Sequence, residues 1–172
     1  MEFYEVLKKR HSVRVFQDKE IEKEKMERIT SAFFLAPSAG NLQAYKVYTI
    51  RSKEMKEELV IAALDQSFLA DAPVVLVFCA DQQRSAMKYS ERGADLYSIQ
   101  DATIAAAYAQ LAAAAEGLSS VWVGAFDPLE VSRIVDAEPY TVPVAIIPIG
   151  YPAEMPQPRE RRRIEDIVKS ID

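Results

Sequence analysis

The chain has 172 residues with a formal net charge of −5, and 49% of its residues are hydrophobic. This length predicts one domain over residues 1–172, which buries enough apolar surface to fold without a disulfide or a structural metal. The acidic balance argues against a nucleic-acid partner, and the single cysteine, Cys79, excludes an intramolecular disulfide.

The sequence also bears on location. No apolar run approaches the ~20 residues that a transmembrane helix needs, and the charged start of the chain does not resemble a signal peptide. A lone cysteine inside an apolar run fits a reducing compartment. We therefore expect a cytoplasmic protein with no membrane contact.

Hydrophobic spacing predicts three helices and two strands in the first half of the chain. The helices are predicted over residues 2–9, 21–35 and 53–64, and the strands over residues 46–51 and 74–78. Pro37 follows the second helix and ends it. The mostly polar segment over residues 82–97 is expected to be helical in part.

The strongest helix prediction covers residues 101–116, which include nine alanines and are followed by Gly117 as a helix-ending residue. Small side chains on every face predict close packing all round this helix. A strand over residues 120–126 is predicted to follow it.

A further helix and strand complete the predicted domain. Asp127 and Pro128 supply an N-cap acceptor and a first-turn proline for a helix running to about residue 136. The last strand is predicted over residues 142–149, with Pro143 and Pro148 marking its edges or an irregularity. Alternation of helices and strands by itself favours a parallel α/β arrangement.

The C-terminal region is predicted to be an extended arm followed by a short helix from about residue 164. Regular structure before that helix is prevented by three prolines, Pro152, Pro156 and Pro158. A frayed terminus is the alternative. The apolar residues Ile164, Ile167 and Val168 favour an arm that docks on a partner subunit.

The sequence lacks the motifs of several enzyme classes. His11 is the only histidine, so a metal site built on several imidazoles is impossible, and no metal site is predicted. No G-x-S-x-G elbow, phosphate-binding loop or G-x-G-x-x-G motif is present. No catalytic side chain is predicted, and an enzyme with this sequence is expected to rely on a cofactor for its chemistry.

Four segments, in this order, resemble the FMN-dependent nitroreductase family across nearly the whole chain. Residues 10–16 read Arg-His-Ser-Val-Arg-Val-Phe, and residues 36–43 read Ala-Pro-Ser-Ala-Gly-Asn-Leu-Gln. The third segment runs from Gln-Asp-Ala at residues 100–102 to Val-Trp-Val-Gly-Ala-Phe at residues 121–126. The fourth is Ile-Gly-Tyr-Pro at residues 149–152, with the arginines that follow it.

The resemblance implies an α+β sandwich rather than a parallel α/β fold. Its sheet is expected to be mixed and mostly antiparallel, with helices flanking it. The C-terminal arm is expected to be exchanged between the subunits of a homodimer, with FMN bound at the subunit interface.

The resemblance also assigns the FMN phosphate to arginines. Arg10, Arg159 and Arg161 match the positions that hold it, and forked guanidinium donors suit a phosphate dianion. Arg162 is an alternative to Arg159 or Arg161, because the spacing after the prolines is loose.

The remaining cofactor-binding positions come from three segments. Ser12 and Arg14 match positions near the flavin pyrimidine and ribityl chain. His11 directly precedes Ser12, is counted among the cofactor-binding residues, and is interpreted as a surface or capping imidazole rather than a catalytic group. Asn41 and Gln43 resemble amides that bind ribityl hydroxyls or the pyrimidine edge.

Pro37 and Ser38 resemble residues that reach a flavin bound mainly by the other subunit. The backbone of Val123, Gly124 and Ala125 resembles a strand end beside flavin O4 and N5, where glycine allows close approach. The chain departs from the family pattern at Ala44-Tyr45, where many members have Pro-Trp, and in its short segment over residues 80–100. The short segment implies either an open, permissive cleft or a cleft that a partner completes.

The implied function is an FMN-dependent oxidoreductase. It would transfer hydride from NAD(P)H through flavin N5 to a small acceptor, such as a nitroaromatic or quinone, by a ping-pong mechanism. The alternatives are a non-catalytic flavin-binding protein and a specialised flavin enzyme of the dehalogenase or flavin-fragmenting type, which the short 80–100 segment disfavours. The sequence does not distinguish NADH from NADPH.

Overall fold

The computed structural model describes residues 2–157 and 159–171, so that Pro158 lies outside the described residues. The seven α-helices of this part of the chain are α1 (Phe3–Lys9), α2 (Lys23–Phe34), α3 (Lys53–Ala62), α4 (Phe68–Asp71), α5 (Gln82–Arg92), α6 (Ser98–Ala115) and α7 (Pro128–Ile134). The four strands are β1 (Tyr45–Ile50), β2 (Val74–Asp81), β3 (Ser119–Ser120) and β4 (Thr141–Gly150). A π-helical turn, Gly93–Tyr97, joins α5 to α6.

The four strands form one sheet in the order β1-β2-β4-β3, and every neighbouring pair is antiparallel. The parallel arrangement favoured by periodicity alone is therefore wrong, because alternation of elements does not encode strand direction. The one parallel contact is an isolated bridge between Ser12 and Ser120. The irregularity expected at Pro143 is present as a register shift, since Phe78 lies opposite Ala145 whereas Cys79 lies opposite Pro143.

Helices cover both faces of the sheet, and β2 is buried on both sides. Val75, Val77 and Cys79 belong to a core shared with α3, α4 and α7. Leu76 and Phe78 face the opposite core, which is shared with α2 and α6. This two-sided burial explains why β2 reads as a continuous apolar run rather than an alternating one.

The alanines of α6 allow the helix to pack closely on several elements. α6 contacts α2 on one side and β2 and β4 on the other. Ala105, Ala106, Ala109 and Ala113 are completely buried. The prediction of close packing around this helix is confirmed, and the helix begins three residues earlier than predicted.

Two predicted elements are shorter than expected. The strand predicted over residues 120–126 is reduced to β3 and a single bridge between Val123 and Ile146. Beyond that bridge the carbonyl of Ala125 accepts a side-chain hydrogen bond from Gln66 instead of pairing with a strand. The predicted C-terminal helix is one 3-10 turn, Ile164–Asp166.

The first part of the C-terminal arm pairs with the N-terminal segment of the same chain. Phe16 and Pro152 form an antiparallel bridge, and the amide of Ala153 donates to the carbonyl of Val15 at 2.8 Å. From residue 155 onward the arm is largely exposed. Across residues 2–157 and 159–171, no helix combines the length and apolar character that a membrane crossing demands.

Candidate functional site

The arginines predicted to hold a phosphate lie together around one cavity of about 830 Å³. The cavity, called here the arginine cavity, is lined by Arg10, His11, Ser12, Arg14, Glu154, Pro156, Gln157, Arg159, Glu160 and Arg161. Arg162, the alternative to Arg159 or Arg161, is not among its lining residues. Instead its guanidinium donates to the carbonyl of Asp166 at 3.0 Å.

The N-terminal wall of the cavity is an extended segment whose side chains point alternately into the core and into the cavity. The amide of Val13 donates to the carbonyl of Ser120 at 3.1 Å, and the Val13 side chain is buried in the core. Ser12 and Arg14, on either side of Val13, are exposed and line the cavity. His11 is half-buried and also lines the cavity.

Glu154 attaches the C-terminal arm to this wall. Its carboxylate accepts hydrogen bonds from the amides of Arg14 at 2.6 Å and Val15 at 3.2 Å. The attachment brings Arg159 and Arg161 to the same cavity as Arg10, although they are about 150 residues apart in the sequence.

The arginines of the cavity share it with two glutamates, Glu154 and Glu160, but do not pair with them as several other arginines pair with carboxylates. Arg28, Arg51, Arg133 and Arg163 each lie within 4.0 Å of a carboxylate. Among the described residues no such ion pair involves the four arginines of the cavity. Unpaired guanidiniums gathered in one cavity of an acidic protein form a ready site for a small dianion.

The second predicted segment is a loop over residues 36–44 that follows α2, and a buried carboxylate holds it in place. Asp101, in the first turn of α6, is 1% exposed and accepts hydrogen bonds from the amides of Ala39 at 2.9 Å and Ala44 at 3.3 Å. Within the loop, the Ser38 hydroxyl accepts from the amide of Gln43 at 2.9 Å. The loop conformation is therefore fixed from both ends.

The predicted polar side chains of the loop are oriented by each other. The Gln43 side-chain amide donates to the carbonyl of Asn41 at 2.6 Å and to its side-chain oxygen at 3.0 Å. Pro37 and Ser38 line a separate cavity of about 610 Å³ at the start of α6, together with Tyr97 and Ile99. The structure thus does not place Pro37 and Ser38 in the arginine cavity of the same chain.

The third predicted segment, residues 123–125, is anchored on both sides and exposed at its glycine. Val123 exchanges two backbone hydrogen bonds of 3.0 Å with Ile146. Gly124 does not have a positive φ, and a Cβ added to it would meet only the Trp122 indole, at 3.4 Å. The backbone there does not require glycine, so the missing side chain leaves room for a ligand to approach the chain.

Residues 66–68 connect this segment with the arginine cavity, and no sequence pattern indicates their role. The Gln66 side-chain amide donates to the carbonyl of Ala125 at 3.1 Å. The Arg14 guanidinium lies 5.8 Å from the centre of the Phe68 ring, within cation–π range. Arg14 and Ala125 therefore contact the same short stretch of chain.

No group of three or more histidine, cysteine, aspartate or glutamate side chains able to hold a metal is found in residues 2–157 and 159–171.

Comparison with known proteins gives a consistent set of similarities. A model of the nitroreductase family matches this chain over residues 7–67 and 56–151. The matched range includes Arg10, Arg14, the loop over residues 36–44 and the segment 123–125. Arg159 and Arg161 lie beyond it.

Individual relatives resemble nearly the whole chain. A Methanothermobacter thermautotrophicus protein provisionally named NADH dehydrogenase/NAD(P)H nitroreductase is 31% identical over 165 residues, covering 93% of this chain and 82% of the relative. The NADH dehydrogenase of Thermus thermophilus is 30% identical, covering 93% of this chain and 91% of the relative. The structure of an FMN-dependent nitroreductase from Clostridium difficile has a TM-score of 0.83 at 28% identity, covering 97% of this chain and 98% of that chain.

Proposed function

The chain belongs to the nitroreductase family, and on that premise we propose that it is an FMN-dependent oxidoreductase that takes reducing equivalents from NADH or NADPH. Its fold is the α+β sandwich of helices around an antiparallel sheet that the sequence resemblance implied. Relatives named as an NADH dehydrogenase and an FMN-dependent nitroreductase support this donor and this cofactor.

The observation that carries the proposal is the arginine cavity, whose four arginines form no ion pair with any carboxylate of the described residues, including Glu154 and Glu160 in its own lining. Arg10, Arg159 and Arg161 would hold the FMN phosphate, since guanidinium groups without carboxylate partners favour a dianion. Gly124 is exposed and has no side chain, so that a flat heterocycle would lie against the backbone of residues 123–125. The donor set and the exposed glycine therefore both fit FMN.

When bound, FMN supplies a hydride acceptor at its N5 atom, and a small organic molecule such as a nitroaromatic or quinone then takes the electrons in a separate, ping-pong half-reaction. The residues of this chain would bind FMN and orient it. Arg14 would place a positive charge near the pyrimidine edge, where it stabilises negative charge. Asn41 and Gln43 would bind ribityl hydroxyls or that edge. No side chain is required as a general acid.

We further propose a homodimer in which the arms are exchanged. Ile164, Ile167, Val168 and Ile171 are 58–96% exposed in the single chain, which is unusual for four large apolar residues on one short segment. A second copy of the chain would cover them. In that dimer Pro37 and Ser38 would reach the flavin held mainly by the partner, which accounts for their place outside the arginine cavity.

A reducing compartment fits the single buried cysteine, Cys79, and a cytoplasmic location is part of the same proposal.

An absorption spectrum of the purified protein tests this function directly. We expect flavin bands in the visible range that bleach under anaerobic conditions on addition of NADH or NADPH. Bands that persist with both donors would indicate a flavin-binding protein without turnover. Absence of flavin, even after incubation with FMN and gel filtration, would overturn the proposal. Sedimentation of the same sample tests the dimer, and a monomer would contradict arm exchange.

A further inference from the structure

A second group of unpaired cations lies on α5, outside the arginine cavity. Arg84, Lys88 and Arg92 are exposed, and within the described chain none of them has a carboxylate in ion-pair range. Elsewhere, exposed cations such as Lys46 and Arg28 form ion pairs of 2.9 and 2.7 Å. One short helix of an acidic protein thus carries three cations that form no ion pair with a carboxylate of the described residues.

These cations lie against the loop over residues 36–44. The Arg84 guanidinium donates to the carbonyl of Leu42. The Lys88 amino nitrogen is 2.6 Å from the position that a Cβ on Gly40 would occupy, and the Tyr89 hydroxyl is closer still. Arg84 and Lys88 on α5 therefore lie against the loop that we assign to the cofactor.

Two tyrosines complete the group and bring in Arg92. The rings of Tyr89 and Tyr97 meet edge to face with centroids 5.1 Å apart. Arg92 lies over the Tyr97 ring at 5.5 Å and donates to its hydroxyl at 3.1 Å, while Lys88 lies 5.4 Å from the Tyr89 ring. Cations and aromatic rings are thus interleaved on one surface.

Backbone geometry holds this surface in shape. Ser90 has a φ of 51°, which kinks the chain inside α5. Gly93 packs so tightly on the preceding turn that an added Cβ would lie 2.5 Å from the carbonyl oxygen of Ser85. The segment over residues 82–97 is therefore folded back on itself rather than a freely placed helix.

We propose that Arg84, Lys88 and Arg92 bind the phosphate groups of the pyridine dinucleotide that reduces the flavin, an inference that rests on the proposed function. The nicotinamide must reach the cofactor beside the loop, so its phosphates must lie at the rim of that site. The arginine cavity is assigned to the FMN phosphate, which leaves the α5 surface for the donor. Clustered unpaired cations also raise the rate at which an anionic substrate arrives.

The kinetic test uses Lys88→Gln combined with Arg92→Gln, because Arg84 also supports the loop. The matched control is Lys53→Gln, which removes one exposed positive charge from a different helix, α3. We expect kcat/KM for the dinucleotide to fall about tenfold in the double variant and to remain unchanged in the control. Reduced 1-benzylnicotinamide, a hydride donor without phosphate, should react equally well with all three proteins.

A binding measurement tests the same surface without turnover. Calorimetric titration of the oxidised protein with NAD+ and NADP+ should show a matching loss of affinity in the double variant, and that loss should shrink as salt is added. An equal loss for both ligands indicates pyrophosphate contact, and a loss confined to NADP+ indicates contact with the 2′-phosphate; either supports the proposal. Unchanged affinity for both would overturn it.

The proposed oxidoreductase function and the assignment of the α5 surface can be disproved separately. If no donor, phosphate-bearing or not, bleaches the flavin, the proposed function fails, while the titration with NAD+ and NADP+ still judges the α5 surface. If dinucleotides reduce the wild-type protein and the double variant at the same rate, the function stands and the assignment of the α5 surface is wrong.

Discussion

Arg10 follows α1 and lines the arginine cavity without a carboxylate partner, which makes it the most direct probe of the phosphate site. Arg10→Ala should weaken FMN binding about tenfold to a hundredfold, the effect of losing a hydrogen bond to a charged group. The protein should remain folded, since Arg10 is outside both hydrophobic cores.

FMN titration by fluorescence and a thermal melt measure these two quantities. Arg51→Ala is the control, because Arg51 is exposed and its one ion pair among the described residues, with Glu20, is long at 3.8 Å. FMN retention by Arg10→Ala at the level of this control would remove Arg10 from the phosphate site.

Asp101 is predicted to act on cofactor binding through the loop that it holds. Its buried carboxylate accepts hydrogen bonds from two backbone amides, and Asp101→Ala leaves both amides without this partner. We expect a loss of stability of about 1–3 kcal/mol and, in addition, weaker FMN binding. Asp127 provides a matched control, because its carboxylate also accepts two amides, those of Leu129 and Glu130, at the start of α7.

Asp127→Ala should lower stability by about 1 kcal/mol and leave FMN affinity unchanged. Denaturant unfolding and FMN titration of both variants separate the two effects. If FMN affinity fell equally in both variants, Asp101 would be a structural residue only.

These two aspartates also show which residue roles the sequence reveals. The Asp127 carboxylate accepts hydrogen bonds from amides two and three residues later, and the pair Asp127-Pro128 identifies this cap from the sequence alone. Asp101 acts on amides 57 and 62 residues away, so no local pattern points to its role, even though it stands inside a segment that carried the family resemblance. Gln66 and Phe68 were missed for the same reason.

At the scale of elements, α6 is the best case for prediction from sequence. Its alanines predicted close packing, and Ala109 is completely buried. Ala109→Leu should lower the free energy of unfolding by about 1–3 kcal/mol, because the added methylenes have no space between α2 and the sheet. Urea unfolding measures the loss. Ala107→Leu, at an exposed position of the same helix, should have little effect; equal stability of the two variants would contradict tight packing.

The segment over residues 120–126 shows the opposite case. Its alternation of valines with smaller or larger residues is typical of a strand, yet only β3 and Val123 pair with β4. Alternation reports which side chains are buried, and Val121 and Val123 are indeed buried. It does not report whether a neighbouring strand is present to accept the hydrogen bonds.

A substitution in the C-terminal arm should weaken cofactor binding and leave stability nearly unchanged. Glu154→Gln removes the negative charge from the side chain whose Oε1 accepts from the amides of both Arg14 and Val15, so that these hydrogen bonds weaken and Arg159 and Arg161 are held less firmly at the cavity. FMN affinity should fall severalfold with little change in melting temperature, since residue 154 packs in neither core. Trypsin should also cleave the arm faster.

Glu165→Gln on the same arm is the control, because the Glu165 side chain has no hydrogen-bond partner among the described residues. Equal FMN affinity and equal cleavage in the two variants would show that Glu154 does not hold the arm.

For the whole molecule, the two cores share one sheet, and residues from nearly every element enter one core or the other. We therefore propose that residues 1–172 unfold as one cooperative domain. A monomer with exposed Ile164, Ile167 and Ile171 would be prone to associate, so that dimer formation and stability should both depend on protein concentration.

Cys79 offers a probe of that cooperativity. It is completely buried in β2, the central strand, and burial raises the pKa of its thiol to about 12. The thiol of an unfolded chain has a pKa of about 8.5. Because the folded value is the higher one, the contribution of this group to stability is fully present below the unfolded pKa and is lost as pH rises from there toward 12.

We expect a thiol reagent at pH 8 to leave the native protein unlabelled for as long as it stays folded. In increasing urea the labelling rate should rise in parallel with the loss of helical circular dichroism, because for a single cooperative domain only global unfolding exposes the Cys79 thiol. The same experiment with bound FMN should slow labelling, since a ligand that binds only the folded state stabilises it. Labelling at urea concentrations where the helical signal is still complete would instead reveal a partly open state, and residues 1–172 would then not unfold as a single cooperative unit.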